Sequence, residues 1–216
     1  MPELQFQIES ATTVEHSAAP LLVLRLRITN SSEQTIHTII LRCQVQIEPA
    51  RRSYIATEKE KLLDLFGTPD RWSRTVRPLL WMNTSVVVPT FAHATVVDLE
   101  LPCTFDFNVA ATKYFHALDS GEIPLRVMFS GTIFYRGAAD ELQIAQVPWD
   151  REATFRLSVS VWKQMMDAHH PNSALIWLGR DTFERLYRFK VQRGIPTWDE
   201  AVERALSSED LPKVGA

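Results

Sequence analysis

The 216-residue chain has two cysteines, seven glycines and no long apolar run, and each shortage removes a class of protein. Cys43 and Cys103 lie in separate segments without CxxC spacing, which leaves neither a zinc nor a dithiol redox pattern. Seven glycines offer little from which to build phosphate-cradling turns, and GxGxxG, the Walker loop and GxSxG are all missing. No stretch approaches the ~20 apolar residues of a membrane-spanning helix. The opening "MPELQFQIES" lacks a basic segment followed by an apolar one, so no secretory leader is expected. Basic charge is not in excess either. With 23 Lys and Arg against 26 Asp and Glu, the net charge of −3 gives no whole-chain pull toward nucleic acid or anionic lipid.

What is present is core. Hydrophobic residues make up 45% of the chain, including six Trp and eleven Phe, against 23% charged. That suits one large domain, or one with a small appendix, and is too apolar for disorder. Residues 1–160 alternate with period two, the mark of half-buried strands. In "LQFQIE" Leu4, Phe6 and Ile8 oppose Gln5, Gln7 and Glu9. "LLVLRLRI" sets Leu22, Leu24, Leu26 and Ile28 against Arg25 and Arg27, and "LRCQVQI" sets Leu41, Cys43, Val45 and Ile47 against Arg42, Gln44 and Gln46. The same rule covers Val97 to Cys103 and the series Leu125, Val127, Phe129, Ile133 and Tyr135. "FRLSVSV" closes the set with Phe155, Leu157, Val159 and Val161. Strands joined by short turns, without long helices between them, predict an antiparallel β-sandwich or open barrel. The cysteines fall in step with apolar neighbours, so both are expected as buried thiols of a cytoplasmic protein.

One insertion breaks the β pattern. "TEKEKLLDLFG" pairs Thr57 with Glu60 as a capping box and ends on Gly67, predicting a short helix over 58–66. The basic, aromatic stretch after it covers a sheet edge or an open end of the sandwich. Alternatively Arg71, Trp72, Arg74 and Arg77 clasp an acidic partner. Near residue 160 the chain changes character. Trp162, Met165 and Met166 sit at i, i+3, i+4, predicting a helix that Pro171 ends. Asp181 with Glu184, and Thr197 with Glu200, resemble capping boxes for two more helices separated by Gly194 and Pro196.

Candidate chemistry is thin. Adjacent helix side chains diverge by about 100°, so His169 and His170 make a poor metal site, and neither HExxH nor a related i, i+4 pair occurs. They read as a helix end, where a cation is mildly favoured. His16, His37, His93 and His116 are scattered, and Asp98 with Glu100 reads as a solvated sheet face. No catalytic, metal or cofactor residue is predicted, and the protein is expected not to be an enzyme.

The C-terminal "IWLGRDTFERLYRFKVQRGIPTWDEAVERAL" resembles a ribbon–helix–helix module: a strand over 174–178, a helix over 182–193, a turn at Gly194 to Pro196 and a helix over 198–206. That resemblance implies dimerisation through the strand and a DNA-binding alternative. The ribbon would be Ala174, Leu175, Ile176, Trp177 and Leu178, which lack the polar groups that read base edges. Arg180, Arg185, Arg188, Lys190 and Arg193 would then offer phosphate contacts only, or a solvated face. The phrases "VPWDREATFRLSV", "HPNSALIWL" and "RDTFERLYRFKVQRGIPTWDEAVERAL" are similar to an uncharacterised bacterial, mainly actinobacterial, domain-of-unknown-function family encoded near nickel–iron hydrogenase genes. That similarity implies an accessory role in assembling or supporting such an enzyme.

The expectation is therefore a mainly β chain: an antiparallel β-sandwich over 1–160 with a short inserted helix, a small α-helical appendage over 161–206 and a flexible tail over 207–216. Its expected work is non-catalytic protein interaction, with a protein partner or a second copy, through Arg71, Trp72, Arg74 and Arg77 and through Trp177, Tyr187 and Trp198. The alternatives are the DNA-binding regulator, with nucleic acid the less expected partner, and a sandwich that holds a small ligand between its end loops. No membrane association is expected.

Overall fold

Alternating side chains commit a segment to a surface with one oily side, and two such surfaces bury each other. The computed structural model describes residues 2–103, 109–137, 139–173, 176 and 178–207. Its strands are β1 (Leu4–Thr13), β2 (Leu21–Asn30), β3 (Ile36–Ile47), β4 (Leu79–Val88), β5 (Ala94–Pro102), β6 (Glu122–Arg136), β7 (Leu142–Gln146) and β8 (Glu152–Ser158). Its helices are α1 (Ala56–Lys61), α2 (Leu63–Phe66), α3 (Trp72–Thr75), α4 (Val109–Ala117), α5 (Val159–His169), α6 (Arg180–Gln192) and α7 (Trp198–Ser207). The chain divides into two compact units, residues 1–173 and 174–216.

The first unit is an antiparallel sandwich. One sheet runs β1-β2-β5, and the other runs β4-β3-β6-β7 with β8 also paired to β6. The inward positions are those the alternation selects: Leu22, Leu24, Leu26 and Ile28 of β2, and Leu41, Cys43, Val45 and Ile47 of β3, are all buried. At about 25 cal/mol per Å² of apolar surface, each such leucine contributes roughly 1.5–3 kcal/mol. Phe6 of β1 stacks on Phe129 of β6 with centroids 4.4 Å apart, joining the two layers. Gly131 of β6 lies where the sheet leaves no room: a Cβ there would stand 2.1 Å from the Ile40 carbonyl oxygen.

Three local expectations are corrected. The insert is a broken helix, α1 then α2, with Leu62 buried at the break. Its cap is not Thr57 with Glu60. Glu58 reaches back to accept from the Ile55 amide at 3.3 Å, while Thr57 Oγ1 donates to Asp119 at 2.8 Å. Val159 and Val161 are not strand residues, because β8 ends at Ser158, whose hydroxyl accepts from the Ser160 amide and starts α5. The strand-to-helix change thus falls where composition shifts, but the compact unit runs on to Ser173. The reason is that α5 buries Trp162, Met165 and Met166 in the same core as the strands.

Helix α4 was not expected, yet Ala111, Tyr114, Phe115 and Leu118 show the i, i+3, i+4, i+7 spacing of a buried helix face. Phe115 packs edge-on to Trp81 of β4 at 4.8 Å and lies 5.1 Å from Trp162 of α5. A bulge opposite Val45 and Gln46 lets consecutive Trp81 and Met82 both turn inward.

The second unit is a helical hairpin. After α6 the Gly194 amide donates to the Val191 carbonyl and the Ile195 amide to that of Lys190, closing a Schellman turn with Gly194 at φ 61°. Thr197 Oγ1 then accepts from the Glu200 amide at 3.2 Å and caps α7. Ala174, Leu175 and Trp177 of the expected ribbon, and residues 208–216 of the expected tail, lie outside the described residues. Ile176 and Leu178 belong to no strand.

The insert is anchored by an ion pair between Arg52 and Glu58, whose side chains are 9% and 2% exposed. Replacing Glu58 by Ala strands a buried guanidinium. Equilibrium denaturation is expected to read a loss of about 3–5 kcal/mol, whereas Arg51→Ala, which removes an exposed partner of Glu48, is expected to cost under about 1 kcal/mol.

Candidate interaction surfaces

The residues that most resembled chemistry are built into structure. His169 closes α5 with Nδ1 2.9 Å from the Met165 carbonyl, and its Nε2 lies 3.2 Å from both the hydroxyl and the carbonyl of Ser17. The ring ties the helix end to the turn between β1 and β2. His170 is the C-cap, its amide donating to Met166. His116 stacks edge-on against Trp162, and burial, reinforced by nearby Lys163 and opposed by Asp167, holds its imidazole below the ordinary value. Asp98 and Glu100 are both exposed on β5. Among the described residues no group of three or more His, Cys, Asp or Glu side chains is placed to hold a metal ion.

A polar cluster under the insert is self-satisfied. Arg52 Nη2 donates to both carboxylate oxygens of Glu58, at 2.9 and 3.1 Å, and to the Ser120 carbonyl, while Nη1 donates to Glu122 O. Tyr114 and Tyr54 share a 2.8 Å hydroxyl contact, and Tyr54 donates onward to the Pro49 carbonyl. The neighbouring cleft of about 640 Å³ is lined by Arg51, Arg52 and Arg156, but each guanidinium is paired: with Glu48, Glu58 and Glu122 respectively. A smaller hollow of about 420 Å³ lies over β3, β4 and β6, among Arg42, Gln44, Asn83, Ser85 and Ser130.

Trp72 is half-buried. Its Nε1 donates to the Gly67 carbonyl at 2.8 Å, and its ring packs edge-on to Tyr54 and Phe66. Of the four residues expected to clasp an acidic partner it is therefore the plug, while Arg71, Arg74 and Arg77 are exposed around it. In the helical hairpin, Tyr187 and Trp198 are brought together, 6.2 Å apart, and Phe183 completes a triangle with them at 6.4 and 5.4 Å. These rings remain 41–52% exposed. Lys190 lies over Trp198 at 5.6 Å. Trp177 lies outside the described residues.

Sequence reasoning missed a second apolar surface. On the outer face of the larger sheet Val87 stands opposite Ile40, and Ile144 opposite Phe134, with Leu142 beside them on the edge strand. Ile40, Val87, Leu142 and Ile144 are 48–67% exposed. Strict alternation hides such positions. The signal was its failure: the runs Ile39-Ile40 and Val86-Val87-Val88 are apolar on both faces.

A family model settles the chain's kinship, matching residues 1–213. The chain belongs to a family of unknown function, DUF6084. No curated protein matches it. Solved structures similar to this DUF6084 chain include the CARDB domain of the PF1109 protein from Pyrococcus furiosus, crystallised in complex with di-metal ions. It is 12% identical, with a TM-score of 0.28, and the match covers 73% of this chain and 92% of that one. The putative ApaA protein from Bordetella pertussis is 11% identical, with a TM-score of 0.24 and coverage of 72% and 93%. A β-glucosidase from Kluyveromyces marxianus is 8% identical with a TM-score of 0.25. The match covers 73% of this chain but 15% of that enzyme. Likeness at this level carries no functional weight for the DUF6084 chain.

The buried protic groups give a pH test. Burial pushes the thiols of Cys43 and Cys103, and the phenol of Tyr54, up to about 12, and Tyr114 is raised further by burial and by Tyr54. In the unfolded chain thiols ionise near pH 8.5 and phenols near 10. Folded values above unfolded ones mean that stability is fully present below about pH 8 and is lost as pH climbs toward 12. The denaturation midpoint is expected to fall between pH 8 and 10.5. At pH 8 an aromatic disulfide reagent is expected to titrate both thiols rapidly only after unfolding.

Proposed function

We propose that this chain is a non-catalytic interaction protein that helps assemble or support an enzyme, a nickel–iron hydrogenase system being the setting that its family resemblance implies. The observation that carries this reading is the aromatic face of the helical hairpin. Phe183, Tyr187 and Trp198 pack on one another yet stay open to solvent, an arrangement that leaves roughly half of each ring's hydrophobic potential unused. Aromatic and Arg side chains are the types enriched where proteins bind each other.

Charge narrows the partner. The segment 180–193 carries Arg180, Arg185, Arg188, Lys190 and Arg193 against Asp181 and Glu184. Helix α7 carries Asp199, Glu200 and Glu203 against Arg204, so the cations lie on the α6 side of the patch, which fits a partner surface that is apolar at its centre and acidic where it meets α6. The test uses the full chain as bait in lysate of cells expressing the hydrogenase. A stoichiometric hydrogenase subunit or maturation protein is expected on the wild type and lost from Tyr187→Ser/Trp198→Ser, with circular dichroism unchanged. Each lost aromatic anchor is expected to weaken binding by about 2 kcal/mol or more. No such protein at low or high salt, or salt-dependent DNA capture in its place, would sink the reading.

A further inference from the structure

A different surface, independent of the helical hairpin, lies at the edge of the five-stranded sheet. β7 pairs with β6 on one side, and among the described residues no strand pairs with its other side. Two flanking hydrogen bonds fix which backbone groups are free. Gly137 N donates to Glu141 O at 2.8 Å, and Val147 N to Gly131 O at 2.9 Å. Antiparallel ladders alternate between bonded and non-bonded pairs. In the register Thr132↔Gln146 to Arg136↔Leu142, the amides and carbonyls of Gln143 and Ala145 therefore turn to β6. Those of Leu142, Ile144 and Gln146 turn to the open edge.

Edge strands are ordinarily blunted by charge, proline or a bulge. β7 reads Leu-Gln-Ile-Ala-Gln, with no charge, no proline and an unbroken register. Its outer side chains, Leu142 and Ile144, are 54% and 63% exposed, and Ile144 stands opposite Phe134 of β6 on the outer face of the sheet.

We propose that β7 pairs antiparallel with β7 of a second copy, about a two-fold axis at Ile144, joining two five-stranded sheets edge to edge. The occupant follows from self-complementarity. With each Ile144 opposite its counterpart and each Leu142 opposite Gln146, all three outward-facing residues fall in bonded pairs, giving roughly six new backbone hydrogen bonds. A shift of one residue would oppose groups already committed to β6. Asp140 and Glu141 precede β7, so antiparallel pairing sets the two acidic ends apart, whereas parallel pairing would set them side by side. Only one edge of each sheet takes part, so association closes at two copies.

Sedimentation equilibrium on the full chain over a concentration series tests this. Wild type is expected at twice the mass of one chain. Ile144→Pro removes an outward amide that β6 does not use, and Ile144→Lys sets two like charges at the axis. Both are expected at the mass of a single chain with an unchanged circular dichroism spectrum, and the wild-type melting temperature alone is expected to rise with protein concentration. Tyr187→Ser/Trp198→Ser is expected to remain dimeric, which separates this edge from the aromatic face. Ile144→Cys is expected to cross-link under mild oxidation, since bonded antiparallel pairs lie about 5.5 Å apart at Cα, within disulfide reach. Gln143→Cys, opposite Ala145, is expected not to. A wild type that stays at the mass of one chain up to its solubility limit, or an Ile144→Lys variant that still dimerises, overturns the proposal.

Discussion

A buried guanidinium–carboxylate pair holds the helical side of the sandwich to its strands. Arg52 follows β3, and Glu58 lies in α1. Between them they also bind the backbone of Ile55, Asp119, Ser120 and Glu122. Burying two charges costs several kcal/mol per ion before any gain, and the cost is tolerable here because both groups are richly bonded. Glu58 accepts from two amides besides Arg52, and Arg52 feeds carbonyls and lies over the Tyr54 ring at 5.0 Å. The geometry matters beyond its energy. Glu122 begins β6, and β6 pairs with β3, β7 and β8. Fixing that turn fixes where the central strand of the larger sheet starts, and so the register of all its neighbours.

Most of the sandwich was legible because period two is a strong signal where one face is dry and the other wet. β2 is the clear case: its four inward apolar side chains are fully covered, and Arg25 stands outside. The cysteines followed from the same step, since a thiol in phase with Leu41 and Val45 had to point inward. Helices α6 and α7 were legible from their punctuation, Gly194 and Thr197 serving as stop and cap. Where the reading failed, a tertiary partner decided. Glu58 rather than Glu60 caps α1 because Arg52 waits beside it. Val159 leaves the strand pattern because the Ser158 hydroxyl starts a helix one residue earlier. Helix α4 carried a readable spacing, but it lay beside a β-rich run and was absorbed into it.

The surfaces were less legible, for a different reason. Binary patterning assigns polar residues to the outside, so it notices an exposed apolar group only where alternation breaks. Trp72 shows the opposite error. Beside three arginines it looks like an anchor for a partner, yet its indole hydrogen bond to Gly67 and its packing on Tyr54 and Phe66 spend most of the ring on the fold. Phe183, one turn from Tyr187, was not among the residues expected to meet a partner, yet it completes the exposed trio.

The two exposed surfaces differ in the physics they offer. The aromatic face of α6 and α7 carries Lys190 over Trp198, so whatever it holds feels ionic strength within a Debye length of about 8–10 Å. The edge of β7 is uncharged along its length, and what it offers is an array of backbone groups that only another extended strand can match. Side-chain chemistry sets the specificity of the first, and strand direction and register set that of the second. A chain that carries both can vary its charged partner contacts without disturbing its own association, because no residue serves the two surfaces at once.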